Sequence, residues 1–567
     1  MTNEAENINS NQTINKRQEN IKNFLKDKHN LIFVLILLFA IIIRLYHFNI
    51  TQDQPIWWDE SDYLAYAKNI AGYPVSWIVT EKHNSLYPFL VAPFFALGLP
   101  ESIVKFLLQT LPGILTILLV YLTSNLMYKD KRVSLIASFI MSVFWVHLFD
   151  STRFHIDVPA LFVGLLSFYT FWKGYEKKEK IFGKIDSKWA IPLSVFLVVL
   201  TYSIRRGYAI FGSFFLVYML LTRNFKELIK DKNNWIGLIL AFVLLILSEK
   251  LIFISQIASV SGSYFHEELP INLLPLKVFE SFSLFNFNQI LSLSSIFFFL
   301  SWTGLFLLIY NLSLSFGYIR KDHSNSSKAD LFNLIVILVT LAFFILVLRS
   351  PATPENPFGS EPRWYLPLAF SSFICISRAI LVITDYIKPY NKHISLAILI
   401  ALIFLGGYSQ FKYGDSLIKE KINTFNGIKD ASLYIKEVSN KEDVVIGIPR
   451  PQISYYAERE AINPHVWINW EGTKESSPME PVLDKIRETP NVRYLIISFS
   501  EPNHPEWMKK VHYTNGQQTA WEIPFMDTKL DFVTQQQDIK QEKVYGNINF
   551  KLINVKNEVF IYEIVRS

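Results

Sequence analysis

The chain has 567 residues, of which 51% are hydrophobic, 15% aromatic and 18% charged, with a mean hydropathy of +0.24. That balance excludes an ordinary soluble globular protein and indicates a polytopic membrane protein. The formal charge of +6 matters less than where the cations fall, and the single cysteine, Cys375, excludes an internal disulfide.

Residues 1–30 are polar, rich in Asn, and end in Lys22, Lys26 and Lys28. No small-residue cleavage site follows Leu31–Phe48, so this first apolar stretch is read as a retained transmembrane helix. Ten more stretches of spanning length follow, near 102–127, 133–149, 158–175, 188–204, 207–222, 234–258, 290–316, 329–348, 364–386 and 393–411. Eleven crossings are expected in all. Leu86–Leu99, interrupted by Pro88, Pro93 and Gly98, is taken as interfacial.

Lysine and arginine set the orientation. With a cytoplasmic N-terminus, the inside loops carry Lys129, Lys131, Arg132, the 173–188 lysines, Arg223 to Lys232, Arg320, Lys321, Lys328, Lys388 and Lys392. The short outside loops hold far fewer, as the positive-inside rule requires. Everything after about residue 412 is then external.

The first external loop opens on Ile56-Trp57-Trp58-Asp59-Glu60-Ser61-Asp62-Tyr63. Two adjacent acids just outside the first span lie where a lipid-borne substrate presents its head group. Ser61–Ala71, with Tyr63, Leu64, Ala67 and Ile70 on one face, reads as an amphipathic helix on the membrane surface. Lys82, His83 and Tyr87 follow. The second external loop packs Asp150, Arg153, His155 and Asp157 into a short connection ending Val158-Pro159. The third offers Arg205 and Arg206, and the fifth ends Glu361-Pro362-Arg363-Trp364-Tyr365-Leu366-Pro367.

After residue 412 the composition changes. Gly427–Val438 is helical in pattern, Asp443–Gly447 and Val492–Phe499 are β-branched strands, a helix starts at Pro451-Gln452, and Lys543–Val565 alternates like antiparallel strands. The domains are therefore a tail at 1–30, a transmembrane domain at 31–412 and a small external α/β domain at 413–567. No P-loop, GxGxxG or CxxC pattern occurs.

Each motif also has a plain structural reading. An Asp ahead of Ser61–Ala71 is a good helix cap, and two tryptophans suit an interfacial belt. Asp157 before Val158-Pro159 is an ordinary helix start. Outer arginines snorkel to lipid head groups. Cations that break the inside-positive trend, each beside an acid, argue instead for a local use.

These motifs resemble those of glycosyltransferase family 39 in the broad sense, which includes protein O-mannosyltransferases and aminoarabinose transferases with the GT-C fold. The resemblance rests on Asp59-Glu60 with Tyr63, His83-Asn84-Ser85-Leu86-Tyr87, Arg153 to Pro159, and Glu361 to Pro367, and covers about residues 30–390. It implies a prokaryotic-type GT-C membrane protein with a C-terminal external domain. It also implies catalytic roles for Asp59, Glu60 and Asp157, and substrate contacts from Tyr63, His83, Tyr87, Arg153, His155, Arg363 and Tyr365; Lys82, Arg205 and Arg206, outer cations against the inside-positive trend, are expected to hold the lipid phosphate. The expected activity is mannosyltransferase-like: an inverting transfer from a polyprenyl or dolichyl-type phosphate sugar to a hydroxyl of a protein, glycan or lipid outside the membrane. Whether a divalent metal ion takes part stays open, with Asp59 and Asp157 the residues that would hold one; no other cofactor and no nucleic acid is called for.

The chemistry suits the residues on its own. A phosphate leaves without a general acid, the acceptor hydroxyl needs a base such as Asp59, and a cation beside the departing phosphate stabilises its charge. The alternative is a transporter or flippase for a phosphate-bearing lipid or sugar. It places ionisable groups at mid-membrane on repeated, broken helices, whereas here they gather at the outer ends.

Overall fold

The computed structural model describes residues 26–75, 85–252, 279–280, 282, 284, 292–315, 325–347, 362–473, 475–501 and 504–566. The helices before residue 200 are α1 (Lys28–Thr51), α2 (Trp58–Ile70), α3 (Tyr87–Ala96), α4 (Glu101–Tyr128), α5 (Lys131–Val143), α6 (Trp145–Asp150), α7 (Asp157–Thr170) and α8 (Ala190–Ile204). Then come α9 (Ile210–Thr222), α10 (Phe225–Lys230), α11 (Lys232–Leu251), α12 (Ile296–Ser315), α13 (Asn325–Val347), α14 (Leu366–Ile387) and α15 (Lys392–Lys421). The last four are α16 (Asn426–Val438), α17 (Arg450–Ala457), α18 (Pro464–Trp467) and α19 (Glu480–Glu488).

The chain divides into two compact units, the first made of 1–51 and 105–420, the second of 52–104 and 421–567. The first external loop, read from sequence as part of the transmembrane domain, thus belongs with the C-terminal residues. The last apolar helix also runs past the expected end at 411, to Lys421.

Among the described residues, eight helices are long and apolar enough to cross a membrane. The expected stretches 133–149, 158–175 and 207–222 are helical but do not meet that standard. The first is split into α5 and α6 at Phe144, whose backbone is extended at φ −62° and ψ 117°. The second passes from α7 into a π-helical turn at Phe171–Glu176, and the third is the short α9. In α11, Leu238, Ile239 and Phe242 are exposed, as a lipid-facing helix requires, whereas α14 is buried over nearly all its length.

α14 is the hub of the first unit, packing on α5, α12 and α13. Its approach to α12 is backbone to backbone: a Cβ on Gly304 would overlap the Cys375 carbonyl, so only glycine fits there. Phe168 of α7 joins four helices, with Phe211 and Phe214 of α9, Phe332 of α13 and Phe370 of α14 all within 6.0 Å between ring centroids.

The second unit holds a six-stranded sheet with order β2-β1-β3-β10-β9-β8. Its strands are β1 (Val444–Gly447), β2 (Glu460–Ile462), β3 (Val492–Ser498), β8 (Glu542–Tyr545), β9 (Ile548–Lys556) and β10 (Val559–Arg566). β1 pairs in parallel with β2 and β3, and the C-terminal strands pair antiparallel. The strand period of two sends Val445, Ile496 and Ile561 to one face, against α16 and α17, and Ile446, Leu495, Ile497 and Phe560 to the other, with α19. Both faces of the central strands are covered, which explains why β1, β3 and β10 are apolar at most positions. A second sheet, unforeseen from sequence, comprises β4 (Lys510–Thr514), β5 (Gln517–Ile523), β6 (Thr528–Asp531) and β7 (Gln537–Asp538).

Candidate active site

In the second unit, the acid pair opens α2. Trp57 is the N-cap, and Glu60 Oε2 accepts a hydrogen bond from the Trp57 N–H at 3.0 Å. Glu60, fully buried, is therefore the capping acid, a role that the plain sequence reading gave to Asp59. Asp59 sits on the first turn, half-exposed, between exposed Trp58 and buried Glu60. Both acids favour the helix N-terminus electrostatically.

The face expected to meet lipid is covered by protein. Tyr63, Leu64, Ala65 and Ala67 are buried against α3 and α17, while Ile70 is exposed. Tyr63 and Tyr87, both predicted substrate contacts, meet edge to face with centroids 6.0 Å apart. Arg450, at the start of α17, feels the charge of Asp62; burial lowers its pKa and Asp62 opposes that. Lys68 is paired with Glu458 at 2.8 Å, and its pKa is lowered by burial against that partner's pull. Lys82 and His83 lie outside the described residues.

In the first unit, the second and third external loops come together. Asp157 is the first residue of α7 but caps nothing: its side chain is fully buried and neither oxygen accepts a well-directed hydrogen bond among the described residues. Arg205 Nε lies 2.8 Å from Asp157 Oδ1, an ion pair joining α7 to the end of α8. The charges of Arg363, Asp150 and His155 also act on Asp157. The Arg205 guanidinium stands 5.9 Å from the centre of the Tyr208 ring, whose buried hydroxyl has no hydrogen-bond partner among the described residues.

The other predicted residues of the first unit have contacts of their own. His155 Nδ1 lies 2.8 Å from Asp150 Oδ1. Arg153 is buried, 6.0 Å from the Phe149 ring centre. Arg206 is paired with Glu249 of α11 at 3.1 Å, and Glu249 also accepts from the Tyr202 hydroxyl. Tyr365 is buried with its ring 4.5 Å from Phe344. Arg205 and Arg206, expected beside a phosphate, are thus already matched with acids.

Sequence reasoning missed Lys105, Tyr208, Glu249, Arg450, Gln452, Tyr455 and Tyr456. Lys105 carried a signal: a lysine inside an apolar span needs an acceptor. It is buried and donates to the Thr51 carbonyl at 2.7 Å. No group of three or more His, Cys, Asp or Glu suited to a metal ion occurs among the described residues. Asp157 has Arg205 as its ion-pair partner and feels the charges of Arg363, Asp150 and His155.

These helices and loops have the architecture of the GT-C glycosyltransferases, in a multi-pass membrane protein. Residues 82–252 match the family described as dolichyl-phosphate-mannose-protein mannosyltransferase, so the resemblance to glycosyltransferase family 39 in the broad sense stands. No curated protein matches the chain in sequence. The fold is similar to the apo oligosaccharyltransferase of Archaeoglobus fulgidus, with TM-score 0.56 and 13% identity over 84% of this chain and 70% of that one. ArnT of Cupriavidus metallidurans, solved with undecaprenyl phosphate, gives 0.52 and 12% over 94% and 97%. The mycobacterial arabinofuranosyltransferase AftD gives 0.52 and 10% over 94% of this chain but only 40% of its own length.

Proposed function

We propose that the protein transfers a sugar from a polyprenyl phosphate to the hydroxyl of a protein, glycan or lipid acceptor outside the membrane, with inversion. The observation that carries this reading is the division within the acid pair: Glu60 is buried in the cap, while Asp59 stays half-exposed on the first turn of α2. Asp59 takes the proton of the acceptor hydroxyl as that oxygen attacks the anomeric carbon. The bond from that carbon to the phosphate oxygen breaks, and the phosphate leaves with the electron pair. Attack from the face opposite the phosphate inverts the centre. The family matched over 82–252 makes mannose the sugar to try first, and the undecaprenyl phosphate in the Cupriavidus ArnT supports the same type of carrier. Lysine and arginine placement supports a cytoplasmic N-terminus and an external second unit.

In this scheme Asp157 organises the cations. Its carboxylate fixes Arg205, and Arg363 acts on the same group, so guanidinium donors are in place before a phosphate arrives. The test is to incubate purified protein with a short-chain polyprenyl-phosphate mannose and an acceptor mixture. Released polyprenyl phosphate and a mannosylated product are expected. No release above a heat-inactivated control, with mannose or any other polyprenyl-phosphate sugar, overturns the reading.

A further inference from the structure

Three residues ahead of Asp59, Ile56 has both of its backbone groups held by side chains from a helix 400 residues later. Its N–H donates to Tyr456 Oη at 2.9 Å, and its carbonyl accepts from Gln452 Nε2 at 2.9 Å. Gln452 and Ile56 are both buried. The far end of α2 is held by the same helix: Lys68 Nζ donates to the Tyr455 carbonyl at 3.1 Å and to Glu458 Oε1 at 2.8 Å, and stands 4.2 Å above the Tyr455 ring. Around them, Lys429 donates to the Asp53 carbonyl at 2.6 Å and the Tyr455 hydroxyl to Glu101 at 2.8 Å.

Most loops move more than the elements they connect. Here α17 pins both ends of α2, so the first turn, which carries Asp59, inherits the rigidity of the sheet behind it. A general base must sit within hydrogen-bond reach of its proton, and a misplacement of about 1 Å can cost roughly 100-fold in rate.

We propose that α17 is the positioning element for Asp59, with Gln452 and Tyr456 as positioning residues. The C-terminal domain then belongs to the catalytic apparatus of the transferase. This rests on the reading of Asp59 as the base.

The experiment compares wild type, Tyr456→Phe, Gln452→Met and the double variant, each with and without Asp59→Asn, using full-length protein and polyprenyl-phosphate mannose. In the double variant kcat should fall about 100-fold, while the donor KM changes less than about twofold. In the Asp59→Asn background the same two substitutions should lower kcat no further, because they act through the missing carboxylate. Hydrogen exchange should rise across 52–60 and stay unchanged in β3 and β10.

Unchanged kcat in an active wild-type background overturns the inference and leaves the transferase reading intact. Equal further losses on top of Asp59→Asn, or faster exchange in β3 and β10, overturn it too, since they show general destabilisation. A wild type that transfers nothing, or an Asp59→Asn variant as active as wild type, removes the reading of the base and the inference with it.

Discussion

The Asp157–Arg205 pair gives the first unit a measurable signature. Asp157 has a fully buried side chain that accepts no well-directed hydrogen bond among the described residues, and Arg205 Nε stands 2.8 Å from its Oδ1. Removing one partner of such a pair leaves an uncompensated buried charge, at a cost of about 3–5 kcal/mol. Arg363 also acts on Asp157, which puts Arg205→Ala at the lower end, about 3 kcal/mol. Adding Asp157→Asn removes the stranded charge, so the double variant should regain most of the loss, with a coupling of about 2 kcal/mol. Unfolding of the detergent-solubilised protein, followed for all four members of the cycle, measures this. An Arg205→Ala variant as stable as wild type, or a double variant no better than the single, refutes the argument and returns Arg205 to the lipid surface.

Burial pushes the His504 imidazole down to about 3 from 6.5, with Lys509 adding to the shift. The folded state therefore keeps it neutral. That stability is present above pH 6.5 and is lost as pH falls toward the folded value, by about 1.4 kcal/mol per pH unit. His504→Gln should flatten the acid slope of urea unfolding between pH 6.5 and 4, read on exchange of β3 and β10 peptides in the full chain; an unchanged slope contradicts it. Topology is testable at Val533, which is 72% exposed, whereas Cys375 is buried. Val533→Cys should react with an impermeant thiol reagent in intact cells, and labelling only after lysis would reverse the orientation.

The legible parts of the chain were those fixed by local pattern. Apolar spans such as Lys28–Thr51 declare themselves because lipid demands continuous apolar surface. The strand around Val444 and the hairpin strands β9 and β10 showed because a two-sided core demands apolar or alternating runs. The sheet of β4 to β7 was missed although Asn515-Gly516, both at positive φ, marks its first hairpin. The break at Phe144 carries no proline or glycine and was invisible.

At the candidate site, sequence supplied the residue types but not their partners. Nothing local says that Glu60 caps and Asp59 does not, since both lie in the first turn. The pairing of Arg205 with Asp157 and of Arg206 with Glu249 depends on which helix ends meet. The hold of Gln452 and Tyr456 on Ile56 spans about 400 residues and leaves no periodic trace. Ile70, placed on the apolar face, is exposed, whereas Tyr63, Leu64 and Ala67 are covered where α2 packs on α3 and α17.

The most direct test of the central claim is single-turnover transfer from labelled polyprenyl-phosphate mannose by wild type and by Asp59→Asn at equal folded concentration. Wild type should release polyprenyl phosphate and form a product of inverted anomeric configuration. Asp59→Asn should be slower by about 100- to 10,000-fold, with donor binding little changed. An Asp59→Asn rate within a few-fold of wild type would contradict the account.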